Sequence, residues 1–171
     1  EVHSKDSGQT GMIGQFGSVN AGYSQPLTDM IFVSVGVGYT PTGDASFAAK
    51  DVAGGKNFDM TISDLMEYYI EPSVTITSDA AVFLHIGITE GDLAVKGTDV
   101  LNQTKSLDGL TASAGMKVVT ENNIFIKVEA GMTEYDTINI TSINGTDGNA
   151  TASAKGDTTI AFGALTVGYQ F

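Results

Sequence analysis

The chain has 171 residues and a net charge of −12 with only 8 basic side chains, so it lacks the clustered Lys and Arg needed to track phosphates, and nucleic acid is excluded as a partner. Charged residues make up 16%, against roughly 25% in soluble domains, so something other than charge covers much of the surface. Cysteine is absent, which removes thiolate and disulfide chemistry, and no run approaches the roughly 20 apolar residues of a membrane helix.

One domain is expected over residues 1–171, opening with a polar segment, 1–11, in which His3 is exposed. No signal-peptide pattern opens the chain, so for an exported protein these residues are read as the mature part. MIGQFGSVNAGY (12–23) is a weak, Gly-rich first strand. MIFVSVGVGYT (30–40) is the clearest, with Ile31, Val33, Val35, Val37 and Tyr39 on one face and Phe32, Ser34, Gly36, Gly38 and Thr40 on the other. FDMTISDLMEYYIEPSVTIT (58–77) aligns Met60, Ile62, Met66, Tyr68, Ile70, Val74 and Ile76, with Asp64 as the exception.

VFLHIGI (82–88) sets Val82, Leu84, Ile86 and Ile88 against Phe83, His85 and Gly87. GLTASAGMKVV (109–119) and IFIKVEAGMTEY (124–135) repeat the alternation, the latter with Ile124, Ile126 and Val128 opposite Phe125, Lys127 and Glu129. The final strand, 157–171, ends with Leu165, Val167, Tyr169 and Phe171 on one side. Short turns are predicted at 24–29, 77–80 and 120–123, where Asp, Asn and Ser favour tight reversals, and long loops at 41–57, 89–108 and 143–157. Alternating short and long connections predict an up-and-down antiparallel sheet with two unlike rims.

Alternation alone does not say which face meets water; the polar set decides. A soluble surface is rich in Lys and Glu, whereas here that set is mostly Gly, Ser, Thr and Ala, and eight glycines from Gly14 to Gly168 fall on it. Small residues suit a narrow interior, and the aliphatic band is then expected to face lipid. Ile31, Val33, Val35, Val37, Leu84, Ile86, Ile126 and Val128 form this predicted lipid face, with Tyr23 and Tyr169 near the short-turn rim and Tyr39 towards the other.

A terminal Phe171 preceded by Tyr169, Val167 and Leu165, turns such as YSQPLTDMIFV, VTITSDAAVFL and VVTENNIFIKVEAG, and long polar loops together resemble the small bacterial outer-membrane β-barrels of the OmpA, OmpX and opacity-protein type. The resemblance implies a transmembrane barrel of eight strands, seven of them readable here, in the outer membrane of a Gram-negative bacterium with its long loops extracellular. It also implies that the closing residues Phe171, Tyr169, Val167 and Leu165 are read by the outer-membrane assembly machinery. An even strand count requires an ascending strand before 12–23, and 1–9 is too short and polar to supply it; removal upstream or a strand from another chain is the expectation.

Glu71, His85, Lys117, Lys127 and Glu129 share the polar parity near the short turns, and are expected to converge as a luminal charge network that plugs the bore. A gate, or acid–base work around His85 with Glu71 or Glu129, is the sharper alternative, but no nucleophile is placed beside them and no enzymatic activity is expected. The acidic residues Asp92, Asp99, Asp108, Asp147 and Asp157 lack the spacing of a calcium loop, so neither metal nor cofactor is called for. N-x-T matches at Asn102, Asn139, Asn144 and Asn149 fall in or beside long loops and matter only in a host that glycosylates exported proteins. The expected function is a structural or cell-surface interaction role with a closed lumen. A narrow channel for small solutes or ions is the alternative, and a soluble ligand-binding barrel comes third. Besides membrane lipids, self-association through the small residues Ala112, Ala114 and Ala130 is a candidate partnership.

Overall fold

The computed structural model describes residues 15–41, 45–52, 56–97, 102–143 and 150–171, and all the regular structure in them is β. Among the described residues nine strands form one antiparallel sheet: β1 (Val19–Pro26), β2 (Ile31–Thr40), β3 (Ala45–Val52), β4 (Lys56–Thr75), β5 (Ala80–Gly97), β6 (Gln103–Ser106), β7 (Gly109–Val119), β8 (Ile124–Ile143) and β9 (Ala150–Tyr169). Spatial order follows chain order along β1-β2-β4-β5-β7-β8-β9, while β3 pairs with β4 and β6 with β5 beside that path. This is the predicted up-and-down topology, and its seven main strands match the seven read from the sequence. The sheet is not closed: among the described residues β1 and β9 do not pair.

The three short turns are built alike. Leu27 N donates to Ile31 O, Ile76 N to Ala80 O and Thr120 N to Ile124 O, each at 2.8 Å. Threonine sets two of them: Thr28 Oγ1 accepts from the Ile31 amide at 3.0 Å and Thr77 Oγ1 from the Ala80 amide at 3.1 Å, side-chain capping typical of Thr in reversals. In the third, Asn123 takes a positive φ of 60°, which Asn tolerates better than most residues. Each turn is also tied to the next strand, through Thr75 N to Met30 O, Val119 N to Asp79 O and Gln170 N to Asn123 O.

Burial is the reverse of a soluble sheet. Along β5, Leu84, Ile86 and Ile88 are 59%, 49% and 57% exposed, whereas His85 between them is 5% exposed and Phe83 and Thr89 are buried. Val35 (50%) and Val128 (45%) are exposed as well, so the aliphatic faces do not pack against one another. Glycine and aromatic residues interlock on the inward face. Tyr69 lies so close over Gly36 that any Cβ there would collide with its ring, and the ring of Phe125 occupies the corresponding space at Gly168.

Towards the long-connection rim the chemistry inverts while the strands run on. In β5 the parity continues unbroken, but the outward residues become Glu90 and Asp92, and the inward ones become Leu93 and Val95. Leu93, Val95, Leu107 and Tyr135 form a buried cluster against which Ile62, Leu65, Ile138 and Ile160 pack. This corrects the expected loops: 41–57 contains β3 and the start of β4, 89–108 contains the upper half of β5 and all of β6, and 143–157 contains much of β9. The upper half of β5 stays extended because its partners offer both backbone hydrogen bonds and an apolar interior. The face assigned to Ile62 is also corrected. A β-bulge between Ser63 and Met66, with Asp64 at φ 55°, inserts one residue and turns Ile62 to the inward side that Leu65 already shares with Glu67. Among the described residues the first strand begins at Val19, with 15–18 outside it, and runs through Pro26, into the segment read as a turn; residues 1–14 lie outside the described residues.

Candidate functional site: a layered polar interior

Alternate residues of β4, β5, β7 and β8 project into the concavity and stack in layers from the short-turn rim upward. Lys117 is lowest. Register places it directly opposite Lys127, and two like charges at that spacing repel. Its Nζ lies instead 5.0 Å from the Phe32 ring centre and 5.9 Å from that of Phe125, and no ion pair joins it to a described carboxylate.

Lys127 holds the next layer. Its Nζ donates to Glu71 Oε2 at 2.6 Å, lies 3.5 Å from Glu129 Oε1, and sits 4.5 Å from the centre of the Phe83 ring. Glu129 Oε2 accepts from Ser113 Oγ at 2.8 Å. His85 is clasped from two sides, with Nδ1 3.5 Å from Glu71 Oε2 and Nε2 3.2 Å from Glu67 Oε1. An imidazole with two N–H donors satisfies both contacts. Tyr69 stacks on that ring with centroids 4.7 Å apart.

Of the residues expected to converge, Glu71, His85, Lys127 and Glu129 therefore form one connected network, and Lys117 stands apart from it. Glu67 belongs to the network although sequence reasoning left it out. The available signal was its place four residues from Glu71 on the same strand face. Three carboxylates thus face Lys127 and His85, and among the described residues no buried side-chain nitrogen or oxygen lacks a hydrogen-bond partner.

Above this lies a row of hydroxyls: Thr89 Oγ1 and Thr111 Oγ1 are 3.0 Å apart, and Thr111 Oγ1 and Thr133 Oγ1 2.9 Å. The apolar cluster around Tyr135 caps the row. An interior of about 950 Å³ remains beside these layers, lined by Asn20, Gly22 and Ser24 on one flank and Phe162, Ala164 and Thr166 on the other.

Chemically the arrangement locks charges to one another. No group of three or more described His, Cys, Asp or Glu residues is placed to hold a metal ion, Ser113 Oγ is committed to Glu129, and the Thr89, Thr111 and Thr133 hydroxyls to each other. The eight residues predicted to face lipid all lie on the outward side, with Val33 and Val37 half-buried and the other six exposed. At the carboxyl end Leu165, Val167 and Tyr169 face outward too, and the Tyr169 ring lies 5.7 Å from that of Phe171. Comparison with family profiles, curated proteins and solved structures finds no match to this chain.

Proposed function

We propose that this chain is an outer-membrane β-barrel of a Gram-negative bacterium, with its aliphatic belt in lipid, its bore plugged by the Glu67–His85–Glu71–Lys127–Glu129 network, and its long-connection end projecting as a cell-surface interaction platform. The inverted burial carries this reading. Among the described residues twenty-seven large hydrophobic side chains are exposed against five buried ones, a distribution that hydrocarbon favours and water opposes by ~1.5–3 kcal/mol for each large side chain left uncovered. Strand length agrees, since roughly 9–11 tilted residues cross a bilayer and β2 and β7 have 10 and 11. Closing the bore with paired charges is consistent with a structural role, because in a narrow interior side chains normally fill the space.

Membrane fractionation with surface proteolysis tests the proposal. The chain is expected to require detergent for extraction and to be cut only near its long-connection end by protease added to intact cells. Recovery as a dispersed monomer in plain buffer would instead favour the soluble ligand-binding barrel.

The 950 Å³ interior favours one second reading, a narrow channel. In planar bilayers a plugged barrel passes no current, and Lys127→Glu leaves it silent; a conducting lumen would respond to the same change with altered ion selectivity.

A further inference from the structure

The interior network leaves one cation out. Lys127 engages Glu71 and Glu129, His85 engages Glu67 and Glu71, and Lys117 has no described carboxylate within ion-pair distance. Its ammonium is held in place all the same, between the Phe32 ring centre at 5.0 Å and that of Phe125 at 5.9 Å, whose faces take the place of water on two of its sides. Beneath the large interior a bowl of about 320 Å³ lies at the short-turn rim, and Ser24, Lys117 and Gln170 line both spaces. Lys117 is thus the threshold between them.

The bowl carries the opposite charge at its mouth. Asp29 stands in the first short turn and Asp79 in the second, both on its wall. Lys117 pairs with Ala81, whereas Val119 N donates to Asp79 O, so Asp79 sits two residues nearer the rim than the lysine. Neither aspartate forms an ion pair with Lys117. Pro26, Met30, Phe32 and Val119 add apolar surface to the same wall, and the Ser78 hydroxyl and Gln170 amide there make no side-chain hydrogen bond among the described residues.

We infer that this bowl binds a small zwitterion with an apolar body, of the amino-acid or dipeptide class, its carboxylate on the Lys117 ammonium and its own ammonium towards Asp29 and Asp79. The volume lies at the lower end of the roughly 300–1,000 Å³ typical of small-molecule sites. A multiply charged anion such as a phosphate ester meets two carboxylates on its way in, and a simple cation meets Lys117 at the floor, so only a ligand carrying both signs is complementary throughout.

The test titrates alanylalanine into the 171-residue chain in nonionic detergent micelles at low salt, followed by the backbone amide resonances of residues 75–81 and 117–119. Saturable shifts are expected there. Amidating the dipeptide's carboxyl end or acetylating its amino end should each weaken binding about tenfold, the worth of one charge-assisted hydrogen bond. Lys117→Met should weaken the free dipeptide by the same factor and leave the amide unaffected, while Lys117→Arg retains binding. Asp29→Asn with Asp79→Asn, both on exposed turns where folding is not at stake, should weaken the dipeptide but not its acetylated form. The inference is overturned by an absence of saturable shifts, by equal binding of the free, amidated and acetylated dipeptides, by a Lys117→Met titration matching that of the unsubstituted chain, or by displacement of the dipeptide with equimolar inorganic phosphate, which would mark a general anion site. The titration is read equally well in plain buffer, so a chain that proved water-soluble would sink the membrane reading and leave this one standing.

Discussion

Two halves of β5 obey the same geometry and opposite chemistry. From Ala80 to Thr89 the outward residues are Val82, Leu84, Ile86 and Ile88 and the inward ones include His85 and Thr89; from Glu90 to Gly97 the outward residues include Glu90, Asp92 and Lys96 and the inward ones are Leu93 and Val95. Nothing in the backbone marks the change within this strand; the proposal assigns it to the solvent outside. On the proposed membrane reading the lower half meets hydrocarbon and seals its polar groups inside, while the upper half meets water and seals an apolar cluster. The contrast teaches that one uninterrupted strand can reverse the chemistry of its two faces, the reversal lying near Thr89 and Glu90, which is where the proposal puts the edge of the bilayer.

Substitutions in the two zones should behave differently. The largest effect is expected from Lys127→Met, which leaves Glu129 without a cation and Glu71 with His85 alone, and costs about 3–5 kcal/mol. In urea unfolding from vesicles, adding Glu71→Gln should restore part of that loss. Next comes a charge on the outward face of β5: Ile86→Lys should cost about 2–4 kcal/mol in the same assay, whereas Asp92→Lys on the same face stays within about 0.5 kcal/mol. If both were equally harmless, the boundary would not exist.

Truncation sharpens the comparison from the apolar side. Leu93→Ala opens a cavity in the upper cluster and should cost about 2–3 kcal/mol there, seen as faster hydrogen exchange in the upper parts of β5 and β8 while the lower parts stay protected. The smallest effect is expected from Thr111→Val, which breaks the Thr89–Thr111–Thr133 row at the cost of about 1 kcal/mol.

The lower zone was legible in the sequence because its parity is clean and its chemistry uniform: Ile31 to Val37, Leu84 to Ile88 and Ile124 to Val128 announce a face, and the glycines opposite announce which face is inside. The upper zone was not, because a strand whose polar and apolar faces trade places reads as the end of a strand. Glu90 and Asp92 therefore looked like loop, although Leu93 and Val95 kept the period. The bulge at Asp64 was visible as a break in alternation but not as the inward turn of Ile62 that it produces. Among the charged residues, parity placed Glu71, His85, Lys127 and Glu129 on one face. Parity does not say that Lys117, facing Lys127 across β7 and β8, turns towards Phe32 instead.

The most direct measurement is spin-label accessibility along β5, comparing oxygen, which dissolves in lipid, with a water-soluble nickel chelate. Labels at Leu84, Ile86 and Ile88 should collide mainly with oxygen and labels at Glu90 and Asp92 mainly with nickel, crossing over between Ile88 and Glu90. Labels at Leu84 and Ile86 shielded from both reagents, as in the packed centre of a water-soluble protein, would contradict the account.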